Sequence, residues 1–257
     1  MSDIIHWFDT VDSTNTRLMA EKDSIPDRSV YAAMFQTAGR GQKGNRWESK
    51  AGENLTFSIL LKPAGIPAGD QFIISQIVAL GVLDYVESHG VKASIKWPND
   101  IYAGDRKICG TLIENTLNNN TIASTIAGIG LNMNQRVFDP SLPNPTSLAL
   151  ETGMSFDVKE ELPKLLDCIF KYYEQIDSPY ARNGFDEKYL SRLYRRGQWH
   201  LFEELPASEI PAEKRSGLRI EARVLGIDAE ARLLLEHRDG TLHSYGFKEI
   251  KYVIQRP

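Results

Sequence analysis

The chain has 257 residues, 42% of them hydrophobic, and a formal net charge of −4. This is the composition of a globular protein that buries a full core, either as one large domain or as a large domain with a small one. Because acidic residues slightly outnumber basic ones, the overall charge gives no reason to expect a nucleic-acid or membrane partner. Residues 1–6 hold an acidic residue and no long apolar run, so neither a signal peptide nor a membrane anchor is predicted, and we expect a cytoplasmic protein.

The first 61 residues predict three strands and one helix. Strand-like runs occupy residues 4–8, 30–36 and 54–61, and the run Asp12-Ser13-Thr14-Asn15 combines turn residues with a helix start. A glycine-rich loop at residues 39–44 separates the second and third runs. The loop is therefore expected to join strand to strand, while hydroxyl groups and free backbone N–H groups gather at the start of the helix.

The next segment predicts a buried helix followed by more strands. Residues 70–88 are apolar around most of the helix circumference, and Gly90 is a suitable C-cap. Strand-like runs then follow at residues 94–97, 108–114 and 122–129. The N-terminal part of the chain is thus predicted to be a mixed sheet flanked by helices, in the α/β (α+β) class.

The pattern changes in the last third. Asp157 and Glu160 form a capping box before a helical segment, although Pro163 leaves its start open. A second helical segment follows, and from Gln198 the chain has the short strands and turns of an all-β module. We therefore expect two domains, residues 1–200 and a small β-barrel at residues 201–257.

Cysteine and histidine usage favours no metal site. The two cysteines, Cys109 and Cys168, have no paired spacing near the five scattered histidines. Neither a disulfide framework nor a zinc site is predicted. Cys109 is expected to be a small buried packing residue.

The glycine loop admits two interpretations. Gly39-Arg40-Gly41-Gln42-Lys43-Gly44 fits the pattern of dinucleotide-binding domains, but that site needs a helix directly after the loop, and here a strand follows. Alternatively, close-approaching backbone and the cations Arg40, Lys43 and Arg46 bind phosphate, with Trp47 offering a face to adenine. Composition alone equally allows a solvated surface loop with a core tryptophan.

A second polar segment contains lysines between strand-like runs. Lys96-Trp97-Pro98-Asn99-Asp100 is followed by Lys107 and Gly110. Taken alone, this segment is typical of a solvated hairpin turn.

Together these elements resemble the biotin protein ligases. The resemblance rests on five motifs that occur in order: Ser13-Thr14-Asn15, residues 39–47, residues 96–100, Lys107 with Gly110, and Gly128-Ile129-Gly130-Leu131-Asn132. It covers nearly the whole chain. It implies a catalytic domain at residues 1–200, related in fold to class II aminoacyl-tRNA synthetases and lipoate ligases, and an SH3-like C-terminal domain at residues 201–257.

The resemblance also implies a role for each motif residue. Ser13, Thr14 and Gln36 would bond the ureido ring of biotin, and Lys107 would meet the biotin carboxylate and the phosphate oxygens. The residues implied to bind biotin are Ser13, Thr14, Asn15, Gln36, Arg40, Gly41, Gln42, Lys107, Gly110, Gly128 and Gly130. Those implied to bind ATP are Arg40, Lys43, Asn45, Trp47, Lys96, Asn99 and Asn132.

The implied chemistry has two steps, with biotin, ATP and Mg²⁺ as reactants and cofactor. Biotin attacks ATP to form biotinyl-5′-AMP, for which Lys107 and Arg40 supply fixed cations. A lysine of a biotin carboxyl carrier domain of a biotin-dependent carboxylase then takes the biotin. Asp100 would orient that amine, take its proton or help to hold the metal. Closure of the 39–47 loop would protect the adenylate from water.

Two departures from the family pattern stand out. The family loop is commonly Gly-Arg-Gly-Arg-x-Gly-Arg, and here Gln42 and Asn45 replace its second and third arginines. We expect weaker retention of the adenylate unless Lys43 or Arg46 compensates. Because Ser13 lies so near residue 1, a helix-turn-helix domain of the kind some relatives carry is not expected, and neither is DNA binding. A monomer and a homodimer both stay open.

Two competing functions are a lipoate ligase or octanoyltransferase, which shares the fold, and a non-catalytic biotin sensor. The Trp97-Pro98 pair and the Gly-Arg-Gly loop favour biotin over lipoate. Lys107, Asp100 and the C-terminal domain favour catalysis over sensing.

Overall fold

The computed structural model describes residues 4–42, 45–205 and 217–254. The chain divides into two compact units, residues 1–188 and residues 189–257. The strands of the first unit are β1 (Ile5–Val11), β2 (Val30–Gln36), β3 (Leu55–Leu61), β4 (Ala93–Lys96), β5 (Asp100–Ala103), β6 (Arg106–Asn118) and β7 (Thr121–Leu131). Its helices are α1 (Thr14–Glu21), α2 (Phe72–Ser88), α3 (Leu148–Thr152), α4 (Val158–Tyr173) and α5 (Pro179–Ser191), the last of which runs past the boundary.

The seven strands form one mixed sheet in the order β1-β2-β3-β7-β6-β5-β4. β1 and β2 are parallel, and every other neighbouring pair is antiparallel. β2 and β3 are therefore joined strand to strand, as expected of the glycine loop. The mixed sheet with helices confirms the predicted fold class.

Helices cover this sheet and pack their apolar side chains against its buried strands. β3 is buried along its whole length, which requires cover on both faces. α1 packs on β2, β3 and β7, where Leu18 meets Tyr31, Leu60 and Ile126. α2 is apolar around most of its circumference and packs against β4, β5, β6 and α4.

Capping residues begin two of the helices where the sequence predicts. The Ser13 hydroxyl accepts from the backbone N–H of Thr16, at 3.4 Å, so α1 starts at Thr14. The Asp157 carboxylate accepts from Lys159 and Glu160 and starts α4. Pro163 stands within the second turn of α4 without ending it.

The second unit holds a separate antiparallel sheet in the order β11-β10-β9-β8-β12. Its strands are β8 (Trp199–Glu204), β9 (Leu218–Ile227), β10 (Leu233–His237), β11 (Leu242–Tyr245) and β12 (Ile250–Tyr252). Phe202, Val224 and Leu235 are fully buried and form part of its core. The SH3-like barrel implied for this segment stays a prediction. Across the described parts of both units, no helix is long and apolar enough to span a membrane.

Candidate active site

One face of the large sheet brings small and polar residues into two neighbouring rows. Paired residues on adjacent antiparallel strands point to the same face. The first row runs Thr56–Gly130–Gly110–Asp100 across β3, β7, β6 and β5. The second row, two residues along each strand, runs Ser58–Gly128–Leu112. This surface, called the site face below, is therefore shallow where its glycines lie.

A β-bulge turns Lys107 onto the site face. Cys109 pairs with Ile101 while Lys107 pairs with Tyr102, so Ile108 is an extra residue in β6. An extra residue reverses the side to which the next side chain points. Lys107 thereby joins Asp100, and its Nζ lies 2.8 Å from Asp100 Oδ1. The two charged groups are about one-third and one-fifth exposed.

The glycines of the site face receive side chains. A Cβ at Gly130 would lie 2.2 Å from Trp47 Cε2, and one at Gly128 would lie 2.1 Å from Asn15 Oδ1. A Cβ at Gly110 would lie 2.9 Å from Lys107 Nζ. The indole of Trp47 thus rests on bare backbone, and its Nε1–H is buried without a hydrogen-bond partner among the described residues.

A buried polar cluster at the start of α1 borders Gly128. The backbone N–H of Thr14 donates to Gln36 Oε1 at 2.8 Å. Ser58 Oγ lies 2.7 Å from Thr14 Oγ1 and 2.5 Å from Asn15 Oδ1. Ser13, Thr14, Asn15 and Ser58 are each less than 5% exposed. A compact set of hydroxyls and carboxamides can read a small ring that carries both donors and acceptors.

Arg40 extends from the glycine loop to this cluster. Its guanidinium reaches both oxygens of Glu114, at 2.7 and 3.3 Å, and the same carboxylate accepts from Asn15 Nδ2 at 2.9 Å. The loop folds back on itself. The backbones of Arg40 and Arg46 form an antiparallel β-bridge, and the N–H of Gly41 donates to the carbonyl of Asn45 at 2.8 Å. Asn45 and Arg46 are exposed and Gln42 is half-buried. Lys43 and Gly44 lie outside the described residues.

Lys96 adds a second ammonium group near Asp100. Burial lowers the pKa of Lys96, while the charge of Asp100 acts against that shift. Lys96 also lies 5.3 Å from the ring centroid of Tyr102. Cys109 is fully buried, and burial raises the pKa of its thiol, which fits the expected packing residue.

Asn99 and Asn132, two of the asparagines implied to bind ATP, hold neighbouring backbone segments together. Asn99 is buried, its side-chain Nδ2 donates to the backbone carbonyl of Thr111, and its backbone carbonyl accepts from Thr111 Oγ1 at 3.1 Å. Asn132 Nδ2 donates to the carbonyl of Thr146 at 2.8 Å. Their implied contacts with ATP stay predictions.

Sequence reasoning missed two residues of the site, Ser58 and Glu114. The signal for Glu114 is the two-residue period of β6, which places residues 110, 112 and 114 on one face. Ser58 gives a weaker signal, since it is one of two polar residues, with Thr56, in an otherwise apolar central strand.

The site face thus places a recess for a small polar ring beside a group of cations. This arrangement is that of a protein that binds a small polar molecule next to an anionic group. A family model described as the Biotin/lipoate A/B protein ligase family matches residues 7–132. The Bifunctional ligase/repressor BirA of Escherichia coli strain K12 is 32% identical over 245 residues, covering 93% of this chain and 71% of that protein. The chain belongs to this family, as a biotin protein ligase.

Further relatives agree. The Biotin--[acetyl-CoA-carboxylase] ligase of Paracoccus denitrificans is 26% identical over 193 residues, covering 73% of this chain and 80% of that protein. A solved structure of the biotin protein ligase from Aquifex aeolicus, in complex with biotin and ATP, superposes with a TM-score of 0.76 at 26% identity. That match covers 97% of this chain and 99% of the other.

Proposed function

We propose that the protein activates biotin with ATP and transfers it to a lysine of a biotin carboxyl carrier domain. The observation that carries this proposal is the site face itself, where the Lys107–Asp100 pair, the Arg40 loop and the buried polar cluster converge. Relatives of the chain are named as ligases for acetyl-CoA carboxylase. All these residues belong to the first compact unit.

In the first step, a biotin carboxylate oxygen bonds to the α-phosphorus of ATP and pyrophosphate leaves. Two anions must approach each other, so fixed cations lower the barrier when they stand ready before the reaction. Lys107 supplies such a cation, and Asp100 holds its ammonium group on the site face. Lys96 and Arg40 place further positive charge near the phosphates.

The biotin ring would lie against the polar cluster at the start of α1. Its two ureido N–H groups need acceptors and its carbonyl oxygen needs a donor. Ser13, Thr14, Asn15 and Gln36 offer both kinds of group within a buried recess. Burial matters because a polar ligand that fails to match such groups leaves them unsatisfied.

Magnesium fits this site as a companion of the nucleotide. Among the described residues no group of three or more His, Cys, Asp or Glu side chains gathers to hold a metal. Mg²⁺ commonly binds through one or two carboxylates and the substrate phosphates. Asp100 is the carboxylate that could assist, and the ion would neutralise phosphate charge when bound.

In the second step, the neutral amine of the acceptor lysine bonds to the carbonyl carbon of the adenylate, AMP leaves and the amine gives up a proton. Asp100 lies on the site face, where it could orient the amine or take that proton. The compartment we propose is the cytoplasm.

The test is incubation of the protein with biotin, ATP, Mg²⁺ and a biotin carboxyl carrier domain, followed by mass spectrometry of the carrier. One biotin on one lysine is expected, with activity lost in Lys107→Met and kept in Lys50→Met, which removes an exposed lysine. Transfer of lipoate or octanoate in place of biotin would overturn the proposal. Adenylate formation without transfer would identify a sensor.

A further inference from the structure

The described side chains hold one charged group on the site face that the roles above leave unused, the carboxylate of Glu114. It lies on β6, four residues beyond Gly110, and its Oε1 receives Arg40 NH2 at 2.7 Å. Its Oε2 receives Arg40 NH1 at 3.3 Å and Asn15 Nδ2 at 2.9 Å. One half-exposed arginine and one buried carboxamide therefore share a single partner.

We propose that Glu114 is a positioning residue that sets the hydrogen-bond direction of the biotin-reading cluster and ties Arg40 of the loop to that cluster. This inference rests on the proposed function and deepens it. Glu114 acts through Asn15 and Arg40, and no contact of its own with biotin is required.

The donor and acceptor of each hydrogen bond in the cluster can be assigned by counting the protons available. A carboxylate only accepts, so the Asn15 atom that faces Glu114 must be Nδ2, and Oδ1 must face Ser58. Ser58 has one hydroxyl proton, and Asn15 Oδ1 at 2.5 Å takes it. Thr14 Oγ1 lies 2.7 Å from Ser58 Oγ and 3.2 Å from Gln36 Oε1, so with the Ser58 proton on Asn15 the single Thr14 proton serves those two acceptors. Thr14 Oγ1 is left with a lone pair that can accept a ligand N–H.

Gly128 gives the same arrangement its shape. Because a Cβ there would lie 2.1 Å from Asn15 Oδ1, the carboxamide lies directly on the strand and has little room to move. Rotating the Asn15 carboxamide would bring its Nδ2 towards Ser58 and its Oδ1 towards Glu114. The charge of Glu114 makes that rotated state unfavourable, because two acceptors would then face each other.

Replacing the carboxylate with a carboxamide removes this constraint at almost constant volume. In Glu114→Gln the side chain can donate or accept, so the Asn15 carboxamide can take either orientation and the cluster loses its single direction. The charge that holds Arg40 is lost as well. We expect the KM for biotin in adenylate formation to rise on the order of tenfold, while kcat changes less than threefold because Lys107 and Asp100 are untouched and Arg40 keeps its charge.

The experiment measures biotin-dependent pyrophosphate release by the full-length protein. Glu114→Gln is compared with Glu174→Gln, which breaks another arginine–carboxylate pair, Arg28–Glu174, outside the polar cluster. A double-mutant cycle combines Glu114→Gln with Asn15→Ala. If Glu114 acts through Asn15, the rise in KM for the double variant is smaller than the product of the two single rises.

Three outcomes overturn the inference: a KM for Glu114→Gln equal to those of wild type and Glu174→Gln, effects that multiply in the cycle, or an equal fall in kcat and kcat/KM. If Glu114→Gln does not fold, Glu114→Asp replaces it, because its carboxylate keeps the charge but is one methylene too short to span both partners. A folded Glu114→Asp with wild-type KM also overturns it. Wild-type protein without biotin-dependent pyrophosphate release would instead refute the proposed function.

Discussion

At the scale of single residues, the three glycines of the site face matter because other side chains occupy the space where their Cβ atoms would lie. Gly110 and Gly130 pair with each other across β6 and β7, and the Trp47 indole rests on both. The sequence suggests that such glycines let backbone approach a ligand. The structure adds that they seat Trp47, Lys107 and Asn15 at defined heights above the sheet. Glycine is thus required at these positions because a larger residue would displace the side chains packed against them.

Gly130→Ala is expected to displace Trp47 and to lower the rate of adenylate formation on the order of a hundredfold, since small misplacements of site groups cost that much. The free energy of unfolding should change by less than about 1 kcal/mol, because Trp47 belongs to a loop and can move away. Steady-state rates and urea unfolding measure both quantities. Gly69→Ala is the control, since its methyl group meets nothing within 4 Å. An unchanged rate in Gly130→Ala would contradict the seating of Trp47.

The lowered pKa of Lys96 predicts how stability depends on pH. Its ordinary value is 10.5, and burial is the largest cause of the shift. Between the folded and unfolded pKa values the unfolded chain binds more protons, so the free energy of unfolding rises with pH in that window. Relative to Lys96→Met, wild type should therefore gain stability as pH rises towards 10.5. Urea unfolding of both proteins from pH 7 to 10.5 measures this gain, and a constant difference between them would refute the prediction.

At the scale of elements, local pattern predicts the chain well wherever local forces decide. The strand predicted at residues 30–36 is β2, and the helix predicted at residues 70–88 is α2 (Phe72–Ser88). Both follow from apolar periodicity. The bulge at Ile108 does not, because it depends on the register of β6 against β5. Without it, a strict two-residue period would point Lys107 away from Gly110.

The glycine loop is a second case in which the local sequence does not predict the contacts that are made. Its glycines and cations are evident in the sequence, but its backbone pairing of Arg40 with Arg46 and the ion pair of Arg40 with Glu114 are not. Glu114 is 74 residues from Arg40. Contacts so distant in sequence arise from sheet order, which local composition does not encode.

Gln42→Arg should slow release of the bound adenylate about tenfold, because a charge-assisted hydrogen bond to phosphate is worth more than a neutral one. Gln42 stands where the family pattern has an arginine, and its half-buried side chain lies in the loop that carries Arg40. A chase with unlabelled biotin and ATP measures release. Gln175→Arg adds the same charge at an exposed position after α4 and should leave release unchanged. Equal release from wild type and Gln42→Arg would show that the missing arginine is irrelevant or compensated.

At the scale of the whole molecule, the candidate site belongs to one compact unit. Every described residue of the site face, the polar cluster and the loop lies before residue 188, while β8 to β12 lie after it. The order of the elements predicts two such parts, since helices give way to short strands near residue 198. The sheet of the second unit has its own buried core, so it can be stable without contributing to catalysis. Its contribution to ligand binding therefore needs its own measurement.

Hydrogen exchange of the intact protein with biotin and ATP measures that contribution. Ligand binding stabilises the unit that binds by RT ln(1 + [L]/Kd), about 2.7 kcal/mol at a hundredfold excess over Kd, and slows exchange through opening of that unit. We expect slower exchange in the 39–47 loop, β6 and β7. If the second unit serves stability alone, amides in β8 to β12 keep their rates. Slower exchange there would show that ligand binding also stabilises the second unit, and would contradict a purely structural role. The Lys107→Met variant with the same ligands controls for non-specific effects of nucleotide.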